Sequence, residues 1–182
     1  MKITLLTPAD YRRTPWKNGG GVSIDIADSG EVWRFGRTLI VAAGPFSDYA
    51  GFDRVQVLVA GCGLVLDAPG GEIDVRTPFV PARFAGETRI VSRLEAGPVE
   101  VVNLIGDRST VRIDMKVLEP GQQAGLSPGI HFAYCPDGAA SLACEGKNRA
   151  LAADHSLRIE PAGRTILVCT SGRVLAASIT PV

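Results

Sequence analysis

Apolar and polar residues alternate with a period of two along much of the chain. From 111 to 117 every odd position is apolar and every even position is charged. From 22 to 26 apolar residues alternate with Ser23 and Asp25, and a turn-like Asp28-Ser29-Gly30 follows. This spacing predicts half-buried β-strands. Two further strands, at 165–170 and 174–179, flank Ser171-Gly172-Arg173, which is predicted to be a hairpin turn.

Glycine and proline exclude long helices over most of the chain. The 21 glycines and 12 prolines interrupt almost every apolar segment, and both residues are costly inside a helix. One helical turn near 8–12 is the exception that we expect. The most apolar run, 55–66, contains Gln56, Gly61 and Gly63, and is predicted to form two buried strands. The sequence therefore predicts an all-β sandwich or barrel with little helix.

One break in the pattern is the best candidate for a domain boundary. Residues 119–125 read EPGQQAG and lack any strand-like alternation. They predict an N-terminal cupin-like β-barrel at 1–118 and a smaller C-terminal cupin-like half at 119–182. The second part is short for an independent domain, so we expect it to pack on the first.

Charge and cysteine usage narrow the classes of function. The 19 basic residues balance 19 acidic ones, so no overall basic surface for nucleic acid or for a membrane is expected. The N-terminal apolar stretch is too short for a signal-peptide core, and the run 55–66 is too short and too interrupted to span a bilayer. The four cysteines show no C-x-x-C spacing and are expected to be reduced, mostly buried thiols. We therefore expect a cytoplasmic protein.

Four phrases together resemble the HutD/Ves family, over roughly residues 1–118. They are, in order, Pro15-Trp16-Lys17-Asn18-Gly19-Gly20-Gly21, Trp33-Arg34, Gly44-Pro45-Phe46-Ser47 with Gly51-Phe52-Asp53-Arg54, and Gly97-Pro98 with Asn103. The resemblance implies a bicupin fold and a cytoplasmic bacterial protein linked to histidine utilisation. It also implies binding of a small acidic metabolite of that pathway, such as formylglutamate, as a modulator.

The sequence departs from the family pattern at two places. Gly36-Arg37-Thr38 stands where the family usually has a Ser-x-Ala stretch, and Glu87 stands where the family has Asp. The first change adds a cation to a strand that could border the pocket. It therefore bears on which ligand is preferred.

No metal or other cofactor is expected. Cupins that perform metal chemistry use an H-x-H pair and a third histidine, whereas this chain has only His131 and His155. No nucleophile motif is present either. His131, in an apolar stretch, is predicted to be a half-buried strand residue, and His155 a solvated loop residue. The sequence thus predicts no catalytic residue and leaves open whether the protein is an enzyme.

The glycine-rich loop offers the first group of candidate ligand-binding residues. Trp16 supplies an apolar wall, Lys17 a cation and Asn18 an amide, which together suit a small carboxylate ligand. The loop lacks the strand–loop–helix context of a phosphate-binding loop. Its glycines permit a tight turn, and they could also expose backbone N–H groups to an anion.

Three strand residues complete the predicted site. The guanidinium of Arg34 is suited to bidentate carboxylate binding, and it points away from the aromatic residues on either side of it. It therefore either faces solvent or is paired inside the barrel. Asn103, in an otherwise apolar strand, either satisfies a local backbone group or contacts the ligand. Arg54 is a secondary candidate that could instead bridge Asp53 or a neighbouring loop.

Three functional hypotheses follow. The first is metal-independent binding of a small anionic metabolite in a cupin barrel. The second is a metal-independent isomerase or hydrolase, for which His131 and Glu87 are the available bases. The third is a scaffold that acts through a protein partner, which a filled barrel would favour. A homodimer is also expected, because several strand edges look unprotected.

Overall fold

The computed structural model describes residues 1–16 and 20–182, and it is built almost entirely of β-strands. The one helical element in this part of the chain is a 3-10 turn at Pro8–Asp10, near the position predicted. By packing, the chain divides into a middle unit, Arg12–Val111, and a terminal unit that combines Met1–Tyr11 with Arg112–Val182. No helix in the described residues is long and apolar enough to cross a membrane.

The middle unit contains two antiparallel sheets. Its strands are β2 (Arg12–Pro15), β3 (Gly21–Asp28), β4 (Trp33–Ile40), β5 (Gly44–Pro45), β6 (Phe52–Ala60), β7 (Leu64–Ala68), β8 (Gly71–Val75), β9 (Ala82–Ala85), β10 (Val91–Leu94) and β11 (Val99–Asp107). One sheet has the order β2-β3-β4-β11-β6-β9 and the other has the order β5-β10-β7-β8.

The terminal unit also contains two sheets. Its strands are β1 (Lys2–Leu6), β12 (Val111–Leu118), β13 (Gln123–Leu126), β14 (Ile130–Cys135), β15 (Ala139–Cys144), β16 (Lys147–Ala152), β17 (His155–Glu160), β18 (Thr165–Ser171) and β19 (Val174–Pro181). Their orders are β1-β17-β14-β19-β12 and β13-β18-β15-β16.

The two units repeat one strand order. Adding eight to each label converts β4-β11-β6-β9 into β12-β19-β14-β17, and β5-β10-β7-β8 into β13-β18-β15-β16. Each unit is therefore an eight-stranded antiparallel sandwich with extra strands at an edge. The middle unit adds β2 and β3 beside β4, and the terminal unit adds β1 beside β17.

The unit boundary differs from the expected division at residue 118. The strand β12, which falls in the predicted N-terminal part, hydrogen-bonds with β19, and β1 pairs with β17 through five residue pairs from Lys2–Glu160 to Leu6–Ser156. Both strands thus belong to the terminal unit. Long-range pairing of this kind leaves no mark in local sequence. The predicted break at 119–125 is a short connection after β12, followed by the first three residues of β13.

Two local predictions were wrong. The strands on either side of Ser171-Gly172-Arg173 do not form a hairpin, because β18 pairs with β13 and β15 whereas β19 pairs with β14 and β12. The turn instead carries the chain from one sheet to the other. His155 is also not a loop residue, since it begins β17 and pairs with Cys135 of β14.

Each unit has an apolar core between its two sheets. In the middle unit Leu58 and Val101 from the larger sheet pack with Leu64 and Leu66 from the smaller one. In the terminal unit the corresponding core includes Leu142, Leu151 and Cys169, all at most 2% exposed. Cys135 and Cys144 are likewise buried free thiols, whereas Cys62 is exposed.

Candidate functional site

The strand register of the middle unit aligns polar residues in rows on the inner face of its larger sheet. Ile105 of β11 pairs with Arg34 of β4 on one side and with Arg54 of β6 on the other. Paired strands lie about 4.8 Å apart, so the two arginine Cα atoms are roughly 10 Å apart with Ile105 between them. In the next inner row Asn103 lies between Gly36 and Gln56.

Apart from Gln56, the residues of these two rows line a cavity of about 630 Å³ within the middle unit. Trp16, Arg34, Arg54 and Asn103, four of the six predicted ligand-binding residues, are in its lining. The structure therefore brings them together in the lining of one cavity. The other two, Lys17 and Asn18, lie outside the described residues.

Arg54 is a buried cation without an acidic partner among the described residues. Its residue is 7% exposed, and the guanidinium carbon lies 5.1, 5.5 and 5.0 Å from the ring centroids of Phe46, Tyr49 and Phe84. Such cation–π contacts partly replace the water that burial removes. Loss of that water lowers the pKa of Arg54 to about 10, so the side chain remains charged near neutral pH.

The hydrogen-bonding capacity of Arg54 is only partly used. Its Nη2 donates to Oδ1 of Asn103 at 3.4 Å, while its buried Nε has no acceptor in the described part of the chain. Asn103 in turn donates from Nδ2 to Oγ1 of Thr38 at 3.3 Å. Asn103 thus contacts two side chains of the cavity, rather than the local backbone group that was the alternative. Arg54 does not bridge Asp53, which pairs with Arg108 instead.

Gln56 is a polar residue of this region that the sequence analysis did not select. Its side chain is fully buried, and within residues 1–16 and 20–182 neither Oε1 nor Nε2 has a hydrogen-bond partner. It lies two residues from Arg54 on the same strand and therefore on the same face. A polar position inside the apolar run 55–66 was the signal that could have identified it.

A second charged group lies at the Arg34 side of the cavity. Arg34 is 42% exposed and its Nε lies 3.5 Å from Oδ1 of Asp25, a carboxylate that is 6% exposed. Arg12 donates to Oδ2 of Asp25 at 2.8 Å and also contacts Asp28. Arg34 thus lines the cavity as a partly exposed side chain that is paired with Asp25.

Trp16 closes the apolar side of the cavity. Its indole Nε1 donates to Oγ of Ser23 at 2.9 Å, and its backbone N–H donates to the carbonyl of Gly21. A Cβ added at Gly21 would meet the indole ring at 3.2 Å and would clash with the carbonyl oxygen of Leu39. Glycine at this position therefore allows the ring to lie directly against the strand.

The two departures from the family pattern have clear structural roles. Gly36 lines the cavity, and a Cβ there would meet the carbonyl oxygen of Ile24 at 2.6 Å. The guanidinium of Arg37 forms an ion pair with Glu100 of β11. Glu87 accepts two hydrogen bonds from Arg108.

Neither residue proposed as a catalytic base is in this cavity. His131 belongs to the terminal unit, with Nδ1 2.9 Å from Oγ of Ser178 and Nε2 2.8 Å from the carbonyl oxygen of Ser127. Glu87 is held by Arg108. Among the described residues that line the cavity, Asp25 is the one carboxylate. Within residues 1–16 and 20–182, no group of three His, Cys, Asp or Glu residues could hold a metal ion.

Two similar sandwiches with an open cavity in one of them define a bicupin, and comparison with solved structures agrees. The chain superposes along its whole length on all of a conserved protein from Pseudomonas aeruginosa (24% identity, TM-score 0.89). It also superposes along its whole length on all of HutD from Pseudomonas fluorescens SBW25 (26% identity, TM-score 0.86). The protein YlbA of E. coli has the same fold (7% identity, TM-score 0.71, 97% of this chain and 90% of that one).

Sequence comparison identifies the family. The HutD family profile matches residues 8–176, so the chain belongs to the HutD family. A 21.2 kDa protein encoded in the region 3′ of hutC in Pseudomonas putida is 36% identical over 110 residues. That match covers 57% of this chain and 58% of the relative's length. The predicted family and the predicted bicupin fold are therefore confirmed, and the chain is a cupin-fold protein of a family associated with histidine utilisation.

Proposed function

We propose that the middle unit binds a small organic acid, an intermediate of histidine degradation such as formylglutamate, and that binding modulates histidine utilisation in the cytoplasm. Arg54 is the observation that carries this proposal. It is a desolvated cation beside an open cavity, and no carboxylate among the described residues pairs with it. A buried charge normally requires a partner, and a ligand carboxylate would supply one.

The chemistry of Arg54 favours a carboxylate over other anions of similar size. A guanidinium and a carboxylate are both planar and can form two parallel hydrogen bonds. The Nε of Arg54 is already without an acceptor in the described part of the chain, and its Nη2 makes only a 3.4 Å contact with Asn103. A carboxylate would satisfy these donors, and exclusion of water by the three rings would strengthen the attraction.

The second arginine favours an acid with two carboxylates. Arg34 and Arg54 flank Ile105 with their Cα atoms roughly 10 Å apart, so a short apolar chain could lie over Ile105 between them. Formylglutamate has two carboxylates joined by such a chain, and its amide could pair with Asn103.

The relatives supply two further supports. HutD of P. fluorescens has a solved structure in a formate condition, and formate is the simplest carboxylate. The P. putida relative is encoded in the region 3′ of hutC, which supports the link to histidine utilisation.

A thermal-shift and calorimetric panel tests the proposal. Formylglutamate, glutamate, urocanate, histidine and formate would be compared on the parent protein and on Arg54→Met. An acid at 100 times its dissociation constant should stabilise the parent by about 2.7 kcal/mol, a shift of several degrees. Arg54→Met should weaken binding about 100-fold, and Arg34→Met about tenfold, because Arg34 is more exposed.

Arg93→Met is the matched control, since Arg93 belongs to an exposed ion-pair network outside the cavity. It should leave binding unchanged. The proposal fails if none of the acids binds the parent, or if Arg54→Met and Arg93→Met bind the acids equally well.

The enzyme hypothesis has a distinct outcome in the same samples. Consumption of any of these acids by the parent, followed by NMR, would indicate turnover. Asp25 is then the residue to replace first, because it is the one carboxylate among the described residues that line the cavity.

A further inference from the structure

One short loop supplies the aromatic cover of Arg54. The wall loop, residues 46–51, connects β5 to β6 and places Phe46, Ser47 and Tyr49 in the cavity lining. Two of the three rings that surround Arg54 belong to this loop. The environment of Arg54 therefore depends on where the loop lies.

Hydrogen bonds to a buried serine hold the first end of the wall loop. The hydroxyl of Ser92, a residue 2% exposed, donates to the carbonyl of Gly44 at 3.0 Å and lies 3.2 Å from its amide nitrogen. The backbone N–H of Phe46 donates to the carbonyl of Ile90. This end is thus held by groups that solvent hardly reaches.

The second end is fastened to the turn after β9. The N–H of Tyr49 donates to the carbonyl of Gly86 at 3.0 Å, and the N–H of Gly86 donates to the carbonyl of Phe52 at 2.7 Å. A Cβ added at Gly86 would clash with the carbonyl oxygen of Tyr49. Only glycine therefore lets the turn and the loop lie this close.

Arg108, which follows β11, forms hydrogen bonds both with the turn after β9 and with the second end of the wall loop. Its guanidinium donates to both carboxylate oxygens of Glu87, at 2.7 and 2.8 Å, and to the carbonyl of Phe52 and Oδ1 of Asp53. Its backbone N–H donates to the carbonyl of Gly51. The hydrogen bonds from Arg108 hold the pKa of Glu87 at about 2, so the pair stays charged over the physiological pH range.

This ion pair has little value as a general contribution to stability. Arg108 and Glu87 are 38% and 43% exposed, and exposed ion pairs contribute little to stability because water and salt screen the attraction. Besides its two bonds to Glu87, Arg108 makes three further bonds, one to Gly51 at the end of the wall loop and two to the start of β6 directly after it. The arrangement is instead suited to holding the wall loop in one position.

We propose that Arg108 and Glu87 are positioning residues of the cavity, which hold the wall loop so that Phe46 and Tyr49 keep water away from Arg54. A guanidinium surrounded by rings attracts a carboxylate more strongly than a hydrated one. Release of the loop would admit water and weaken the attraction. The effect on affinity rests on the proposed acid-binding function, whereas the effect on the loop does not.

The test compares Glu87→Gln with Glu119→Gln. Glu119 pairs with Arg173 in the terminal unit at 2.9 Å, and the two are 53% and 38% exposed, so this second Arg–Glu pair is a close match. Three quantities are measured on each variant: the melting temperature, the rate of chymotrypsin cleavage after Phe46 and Tyr49, and the dissociation constant for formylglutamate.

Glu87→Gln should speed cleavage in the wall loop about fivefold or more, because local opening exposes the loop to the protease. It should weaken formylglutamate binding about tenfold and change the melting temperature by less than about 2 °C. Glu87→Asp, which retains the charge, should restore most of both properties. Glu119→Gln should match the parent in cleavage and affinity.

Equal cleavage rates in Glu87→Gln and the parent would overturn the proposal, as would an affinity loss that Glu87→Asp and Glu119→Gln share. If the parent does not bind formylglutamate, the acid-binding function fails for this ligand while the cleavage rates still decide the role of the loop. Faster cleavage with unchanged affinity would show that the loop is fastened by this pair but does not shield Arg54, which rejects the proposal as stated.

Discussion

The two units share one strand order but differ in the polarity of the residues that face their interiors. The strands β6 and β14 occupy equivalent places in their sheets, and each presents alternate residues to the inside. On β6 these are Arg54 and Gln56, followed by Leu58. On β14 they are His131, Ala133 and Cys135, of which the last two belong to the apolar core of the terminal unit.

The difference is greatest in how the inward polar groups are satisfied. Both ring nitrogens of His131 lie within hydrogen-bond distance of oxygen atoms. By contrast, Nε of Arg54 and both polar atoms of Gln56 have no partner among the described residues. Buried polar groups in folded proteins are normally paired, so the inward face of β14 needs no further partner, whereas that of β6 has capacity for a ligand or water. The same sandwich can therefore serve as a binding site or as a filled support.

Truncation of the filled core should give the largest effect. Leu151 of β16 is 2% exposed, and Leu151→Ala should lower the free energy of unfolding by about 2–5 kcal/mol, because it removes buried surface and leaves a cavity. Chemical denaturation measures this loss. Formylglutamate affinity of the folded variant should be unchanged.

Ile166→Ala, at a position 51% exposed, is the control and should cost less than about 0.5 kcal/mol. A similarly small cost at Leu151 would mean that the terminal unit is not tightly filled, and the contrast between the two interiors would then be lost.

Replacement of an inward polar residue by leucine should change the free energy of unfolding in opposite directions in the two units. His131→Leu should destabilise the protein by about 1–3 kcal/mol, because it removes two hydrogen bonds, one to the hydroxyl of Ser178 and one to the carbonyl of Ser127, both in half-buried residues. Gln56→Leu should stabilise the ligand-free protein by about 1 kcal/mol, because it removes two unpaired polar atoms. Urea unfolding of both variants provides the comparison. Destabilisation by Gln56→Leu would reveal a partner of Gln56, such as ordered water, and the contrast between β6 and β14 would then be lost.

The smallest expected effect is a loss of stability at acidic pH that depends on His131 in the terminal unit. A carbonyl oxygen can only accept, so Nε2 carries the hydrogen and Nδ1 of the neutral ring accepts from the hydroxyl of Ser178. Burial lowers the pKa of His131 below its ordinary value of about 6.5. Below that pH the unfolded chain takes up the proton before the folded one does. Stability should therefore fall as the pH decreases from about 6.5.

His131→Gln should flatten this decline in melting temperature between pH 7 and pH 5. If the parent and His131→Gln lose stability in parallel over this range, His131 does not contribute to the pH dependence.

Local patterning was enough to predict the fold class and many strands. The alternation at 111–117 corresponds to β12, and that at 22–26 lies within β3. The turn at 28–30 also holds, since Gly30 has a φ of 65° and its N–H donates to Asp28. Two-residue periodicity and turn chemistry are short-range properties, and a sequence records them directly.

Partners that are distant in sequence could not be predicted in this way. A hairpin was wrongly predicted at 171–173 because the sequence pattern of two strands joined by a turn is the same whether the strands pair in one sheet or enter two different sheets. For the site, residue type together with the family resemblance suggested Arg34, Arg54 and Asn103. Their position in two neighbouring rows and the isolation of Gln56 depend on register between β4, β11 and β6, which no local pattern specifies.

The pairing of β1 with β17 has a consequence for biosynthesis. Leu6 pairs with Ser156, so a ribosome adding 5–20 residues per second makes the partner of β1 roughly 8–30 s after β1 itself. During that interval the whole of the middle unit can be synthesised and can fold, while β1 waits as an unpaired nascent strand with Leu5 exposed. Slow translation would lengthen the period in which this segment can be captured by a chaperone or by another nascent chain.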